Sequence, residues 1–492
     1  MNFKRILISL MVCVAGLSSQ AQKINYTIED LQTVGKDKYV PFWIHSNQNG
    51  LIPVKSANVF YLGLQKKYEK ENPNEWQWSS GIDGAYSSEY DKNVILNQYY
   101  ASLRYKKIQI LAGAINPVIE YDGLSFSNGN LIMSSNARNY PKLEIGSTGY
   151  LNVPFTKGWV SVKGVLSNGW FIDDRYVDDV MLHHKNAYIR FGKSKGFSFE
   201  FGIEHYVQWG GFSPVYGQLE NDIKAFGKIF FAKPGKVLES DSGSSHNESD
   251  NSLGNHIGQN LIKLNYVTDD YEVSVSAKNM FEDRSGMIKK FKNIRDINYG
   301  LYLKLNKCKL ISSFLVEYYS SLHQGSVEVT DNLSVIGYDS YFNNSIYRSG
   351  WSNYQRGFGI PINTPTIINN DHSISFNNTT FKVFNVGFAG SLDWLQYKFK
   401  FTWYKNYGQV YPVVEDRSIP VDDWVFLRKY TVEPQQFQRH YLLELKFPAK
   451  KLPFDIIASF AYDHGDMYKN NFGCMLKLSR SGILNDLISK KH

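Results

Sequence analysis

The sequence predicts a membrane-spanning, all-β barrel of about 16–18 antiparallel strands with long loops at one end. Three observations predict it. Segments of about ten residues alternate apolar and polar side chains, which gives a strand one lipid-compatible face. The connections between these segments alternate between short and long, as in barrels with tight turns on one side of a membrane and long loops on the other. Aromatic residues make up 15% of the chain, including 34 Tyr and 31 Phe, and such rings suit a membrane–water boundary.

At the N-terminus, Lys4 and Arg5 precede an apolar run over residues 6–17, with small residues Ser19 and Ala21 beyond it. This is the pattern of an export signal ending at residue 21. Cys13 follows Val12 rather than a lipobox residue, so lipidation is not expected. Residues 22–57 carry little strand signal and contain Pro41 and Pro53. They read as a periplasmic lead-in or a plug packed into the barrel. The barrel itself is expected over 58–480, and 481–492 reads as a polar C-terminal tail.

Within the barrel region the alternation is explicit. Phe197, Phe199, Phe201 and Ile203 share one face, opposite Ser198, Glu200, Gly202 and Glu204. Tyr99, Ala101, Leu103 and Tyr105 do the same over 97–105, and Ile262, Leu264 and Tyr266 over 261–267. Leu301 and Leu303 oppose Tyr302 and Lys304, while Phe399, Phe401 and Trp403 oppose Lys398, Lys400 and Thr402. The apolar members are expected to face lipid. Short connections fall at 106–107, 194–195, 268–270, 306–308 and 448–453. Long ones fall at about 120–141, 171–184, 210–259, 280–296, 320–380 and 405–438.

Composition also excludes several functions. Beyond the first twenty or so residues no run of 18 apolar residues occurs, so a membrane-spanning helix is excluded from the rest of the chain. The net charge of +8 is not gathered into a stripe, so no nucleic-acid partner is expected. Cys308 and Cys474 lie far apart and read as unpaired thiols. No Gly-x-Ser-x-Gly elbow, phosphate-binding glycine loop or His-Glu-x-x-His occurs, so neither an enzyme nor a cofactor is expected. His246, Glu248, Asp250 and His256 fit no ligand template, and no metal is expected there. Asp173, Asp174, Asp178, Asp179, His183 and His184 read as a hydrated loop.

Two clusters have the composition of a sugar site, where aromatic faces meet amide and guanidinium groups. Trp351, Asn353, Tyr354 and Arg356 fall within six residues of one long loop. Trp209 and Tyr216, with Asn221, form the second. Arg356 suits an acidic sugar, because its planar fork can engage a carboxylate with two hydrogen bonds.

Four segments resemble the capsule assembly protein Wzi family: Pro41-Phe42-Trp43-Ile44 with Asn47, Asn49-Gly50 and Pro53; His205 with Trp209-Gly210-Gly211, Pro214 and Gly217; the Ser/Asp-rich run 239–258 ending Leu253-Gly254-Asn255-His256-Ile257-Gly258; and Asn343-Asn344 with Tyr347-Arg348, Gly350-Trp351, Gly357, Gly359 and Pro361. The resemblance implies an outer-membrane barrel of about eighteen strands acting as a lectin that retains capsular or surface polysaccharide. Its partners would be that polysaccharide and outer-membrane lipid. The rival reading is a porin or saccharide channel, and the state of the lumen discriminates between them. A channel needs an open, charge-lined path.

Overall fold

The computed structural model describes residues 23–484, apart from 70–74, 240–244, 248–251, 283–292, 326–327, 330–334, 337, 417, 419, 421–423 and 450–451. Eighteen antiparallel strands close into one barrel. In chain order they are β1 (Ile24–Gly35), β2 (Asn58–Lys66), β3 (Trp76–Tyr86), β4 (Val94–Tyr105), β5 (Ile108–Ala114) and β6 (Lys142–Ser147). They continue with β7 (Val160–Trp170), β8 (Met181–Gly192), β9 (Gly196–Trp209), β10 (Asn255–Val267), β11 (Tyr271–Glu282) and β12 (Ile297–Leu305). The last six are β13 (Ser313–Ser320), β14 (Thr380–Leu392), β15 (Leu395–Gly408), β16 (Gln436–Phe447), β17 (Asp455–Gly465) and β18 (Asn471–Ile483). Each strand pairs with its sequence neighbours, and β1 closes the ring by pairing with β18 from Asn25↔Ile483 to Gly35↔Gly473. Closure leaves no edge strand unpaired, as a lipid environment requires.

The side-chain alternation follows from having lipid on one side only. Phe197, Phe201, Ile262, Leu264, Tyr266 and Leu301 are exposed on the outside. Their polar alternates turn inward: Glu204, Gln259, Lys400 and Thr402 are buried. Glycines admit bulky inward neighbours at a few points. A Cβ on Gly202 would lie 2.1 Å from the Tyr188 ring, which crosses the β9 backbone there.

Two sequence expectations are corrected. Residues 22–57 are neither a lead-in nor a plug throughout: 24–35 form β1, and only 36–57 pack into the barrel, at the long-loop end opposite the chain termini. Asp30 and Gln32, exposed on the outer face of β1, interrupt the apolar pattern and hide the strand. The barrel also extends beyond residue 480, because β18 runs to Ile483 against β1. The remainder of the expected tail, and the expected signal segment 1–21, lie outside the described residues.

At the loop end the lumen holds a second apolar core. Ile44 from 36–57, Phe126, Leu131 and Ile132 from 115–141, and Trp351 and Phe358 from 321–379 cluster with the inward side chains Tyr206, Tyr319 and Tyr404. The 115–141 segment descends furthest. At its tip Asp122 accepts a 2.9 Å hydrogen bond from Tyr302 and lies 3.9 Å from the amine of Lys304, one residue from the turn end of β12. Just above, Ser125 and the amide of Phe126 donate to Glu317 at 2.9 and 3.0 Å, and Lys400 donates to the Ser125 carbonyl at 3.2 Å. Buried charges facing a lumen are thus matched by the backbone of the loop that fills it.

Candidate functional site

The loop that carries four of the candidate sugar residues makes a tight hairpin at 352–357. Asn353 and Arg356 pair across it, and the two tip residues, Tyr354 and Gln355, have φ of 49° and 62°. Left-handed backbone at two successive non-glycine residues is costly and is usual only for Gly, Asn and Asp.

The surroundings over-determine it. The indole nitrogen of Trp351, which is fully buried, donates to the carbonyl of Ile132 at 2.7 Å. Asn353 is buried too, and its amide donates to the Arg138 carbonyl at 2.8 Å. Arg356 donates to the carbonyls of His45 at 3.1 Å and Ile52 at 2.5 Å, tying the hairpin to the short helix α1 (Phe42–His45) and the segment after it. The amide of Tyr354 donates to Asp173 at 2.8 Å. Trp351 therefore presents no ring face to solvent. With Asn353 it holds loop to loop inside the lumen, because the Ile132 carbonyl offers the indole a partner there.

What faces out is a cleft of about 400 Å³ at the loop end. Its polar lining includes Tyr354, Gln355, Arg356, Arg138, Tyr90, Lys55, Glu89 and Asp91. The Arg138 guanidinium lies 3.7 Å from the centre of the Tyr354 ring, a stacked cation–π pair. Lys55 and Glu89 approach to 3.9 Å. Burial, then the charge of nearby Arg138, pushes Arg356 down to about 10. Burial and the neighbouring Arg356 charge push His45 down to about 3, so this imidazole is neutral near pH 7. Burial raises the Tyr90 phenol to about 12, and raises the Tyr354 phenol against the opposing effect of Arg138. The cleft therefore offers neutral phenols and charged guanidiniums side by side. A second cavity of about 350 Å³, on the same long loop, is lined by Asn343, Asn344, Arg348 and the hydroxyls of Ser345, Ser373 and Ser375.

Of the six candidate residues, Tyr354 and Arg356 line this cleft and Trp351 and Asn353 support it from beneath. Trp209 is elsewhere. It lies on the outer side of β9, donates to Asn168 at 3.1 Å and packs under the helix α2 (Ile223–Phe230). Tyr216 is partly buried against the lumen core. Sequence reasoning missed Arg138, Tyr90, Lys55 and Gln355. The first three reach the cleft from other loops, and no spacing in the chain connects them to Tyr354.

The acidic and histidine runs resolve as structural pairs. Asp173 holds Arg175 at 3.2 Å, and His184 lies 3.0 Å from Glu204. His256 sits in β10, with its Nδ1 2.9 Å from Nε2 of His205. Glu248 and Asp250 lie outside the described residues. Among the described residues no three His, Cys, Asp or Glu side chains gather as metal ligands, and Cys308 and Cys474 are unpaired.

No family model matches the chain, and no curated protein does. Among solved structures the chain is similar to Wzi of Escherichia coli, described as an outer membrane protein involved in group 1 capsule assembly and a carbohydrate-binding β-barrel. The identity is 11% over 97% of this chain and 87% of that one, with a TM-score of 0.57. OpdL of Pseudomonas aeruginosa matches at 10% identity over 94% of this chain and 99% of its own, TM-score 0.47, and OprD of the same organism at 8% over 94% and 95%, TM-score 0.44. At these identities the likeness is one of fold: a closed, 18-stranded outer-membrane-type barrel.

Proposed function

We propose that this chain is an exported outer-membrane barrel that binds a capsular or surface polysaccharide at its loop end and retains it at the cell, without catalysing a reaction. The observation that carries this reading is the packing of the lumen at its loop end. The loops that would have to leave a path in a channel instead build an apolar core around Trp351 and present a polar, aromatic cleft above it. Stacked rings, amides and guanidiniums in a fixed hairpin suit sugar faces and hydroxyl or carboxylate edges. The fold likeness to a barrel described as carbohydrate-binding adds support.

Two measurements on the purified, folded barrel test the proposal. The cell's own surface polysaccharide should bind, and Arg138→Gln with Tyr354→Ala should weaken that binding while heat-modifiable gel migration is kept. Planar-bilayer recordings should show little conductance. Steady conductance with no polysaccharide binding would establish the porin reading instead.

A further inference from the structure

Helix α2 lies outside the barrel. On β8 and β9, His184 and Tyr206 stack with ring centres 4.1 Å apart and line the lumen. Their chain neighbours His183, Lys185, His205, Val207 and Trp209 must therefore point outward. Helix α2 covers this outer patch. Its Ala225 and Ile229 are fully buried against Val207 and Trp209, and Phe226 lies 5.2 Å from the His183 ring. Asp222 caps the helix by accepting from the Ala225 amide at 2.7 Å. Lys185 donates to the Phe230 carbonyl at the other end, its amine 4.1 Å from the Phe230 ring.

The height of the helix matters. His205 is the ninth residue beyond Gly196, where β9 leaves the turn end. At about 3.4 Å per residue and a tilt of about 40°, it stands roughly 23 Å above that end, and the apolar band of such barrels is about 25 Å tall. Below it Phe197 and Phe201 are bare to lipid; at and above it the helix takes over. So α2 rests at the outer boundary of the lipid-facing band.

Its free side mixes two kinds of group. Ile223 is 82% exposed and Phe231 64%. Between and beyond them Lys224, Lys233 and Lys236 are exposed, with the Lys233 amine 5.8 Å from the Phe231 ring. Of the nearby acids, Glu220 is held by Lys228 at 2.8 Å and Asp222 is the cap; Glu239 is exposed. Large apolar side chains beside lysines at a membrane boundary match lipid: rings among the acyl chains and amines at the anionic headgroups.

We propose that α2 and the segment to Lys236 form a ledge at this boundary that binds phosphate-bearing lipid of the outer leaflet. The lipid-facing wall of the barrel is continuous with it, and the lysines supply the complementary charge. This inference rests on the barrel fold and is independent of the polysaccharide reading.

The test is lipid selectivity of the folded barrel in vesicles of phosphatidylcholine with and without phosphatidylglycerol, read by spin-labelled lipids. Wild type should favour labelled phosphatidylglycerol over labelled phosphatidylcholine by about fivefold for each lysine engaged. Lys224→Gln, Lys233→Gln and Lys236→Gln together should bring the preference near parity. Lys92→Gln with Lys469→Gln, exposed elsewhere at the loop end, should leave it intact. Phe231→Ser should shorten lipid residence without changing heat-modifiable migration. An unchanged preference in the triple variant, or its abolition by the Lys92/Lys469 pair, would overturn the ledge. So would displacement of the labelled lipid by millimolar inorganic phosphate, which would mark a phosphate pocket instead.

Discussion

The indole of Trp351 and the carbonyl of Ile132 are joined by a 2.7 Å hydrogen bond inside the barrel, between loops 219 residues apart. This bond fixes the base on which the loop-end cleft stands. The ring also meets Tyr206 edge-on at 5.6 Å and Phe358 at 5.7 Å, so a wall strand and two loops share it.

Trp351→Ala should therefore act on the plug before it acts on any ligand. Deleting a buried tryptophan costs about 3–5 kcal/mol, and it also orphans the Ile132 carbonyl. The expected outcome is a barrel that still migrates as folded but conducts ions in a planar bilayer and is cut by protease within 115–141. A closed, protease-resistant Trp351→Ala barrel would show that the plug stands without this contact.

Tyr354 separates binding from stability. Its φ of 49° favours glycine, so Tyr354→Gly relieves backbone strain while losing the stack on Arg138, two effects of about 1 kcal/mol each and opposite sign. Unfolding should shift little. Polysaccharide affinity should fall about tenfold, or about 1.4 kcal/mol, as measured by calorimetric titration. Equal affinity in the glycine variant would remove this ring from the site.

Acid should loosen the segment around α1. His45 titrates near 6.5 when unfolded and at about 3 when folded. The folded chain thus resists a proton that the unfolded chain accepts. The stabilisation is complete above pH 6.5 and declines as pH falls from there toward 3. Between pH 7 and pH 5 the loss is about 2 kcal/mol at 1.36 kcal/mol per unit. Denaturant midpoints at the two pH values should show it, and His45→Gln should flatten the difference.

Charge tolerance should map the two sides of the wall. Leu301, exposed to lipid, should lose about 2–4 kcal/mol on substitution by lysine at mid-bilayer. Gln109, which lines an open cavity of about 470 Å³ in the lumen, should lose under about 1 kcal/mol. Thr402 is a poor choice for the tolerant side although it points inward. It is fully buried and donates to Asn385 at 2.7 Å, so a lysine there meets packed protein rather than water.

The outer face was legible in the sequence because lipid is a uniform partner. Phe197, Ile262 and Leu301 answer to one requirement, and a period of two reveals it. The first strand was not, because Asp30 and Gln32 stand on its outer face and break that period. The site was half legible for a different reason. Trp351, Asn353, Tyr354 and Arg356 have the composition of a sugar site whichever way they turn, and what turns them is the backbone of other loops: Ile132, Arg138, His45 and Ile52. Nothing within the 351–356 segment encodes those carbonyls. The same holds for Trp209, whose role is set by α2 packing on it.

The seam between Asn25 and Ile483 has a consequence for the order of events during assembly. The strand that emerges first can take its second partner only when the last strand has been made. Until then β1 carries one row of unsatisfied amides and carbonyls, a template for any passing strand. Contacts this remote in sequence form slowly, so the half-built wall must be shielded for the whole interval. Asp30 and Gln32 stand polar on the outer side of that strand, so its outer face is less apolar than its neighbours' while it waits. The feature that obscures the strand in the sequence thus lies on the edge that waits longest for its partner.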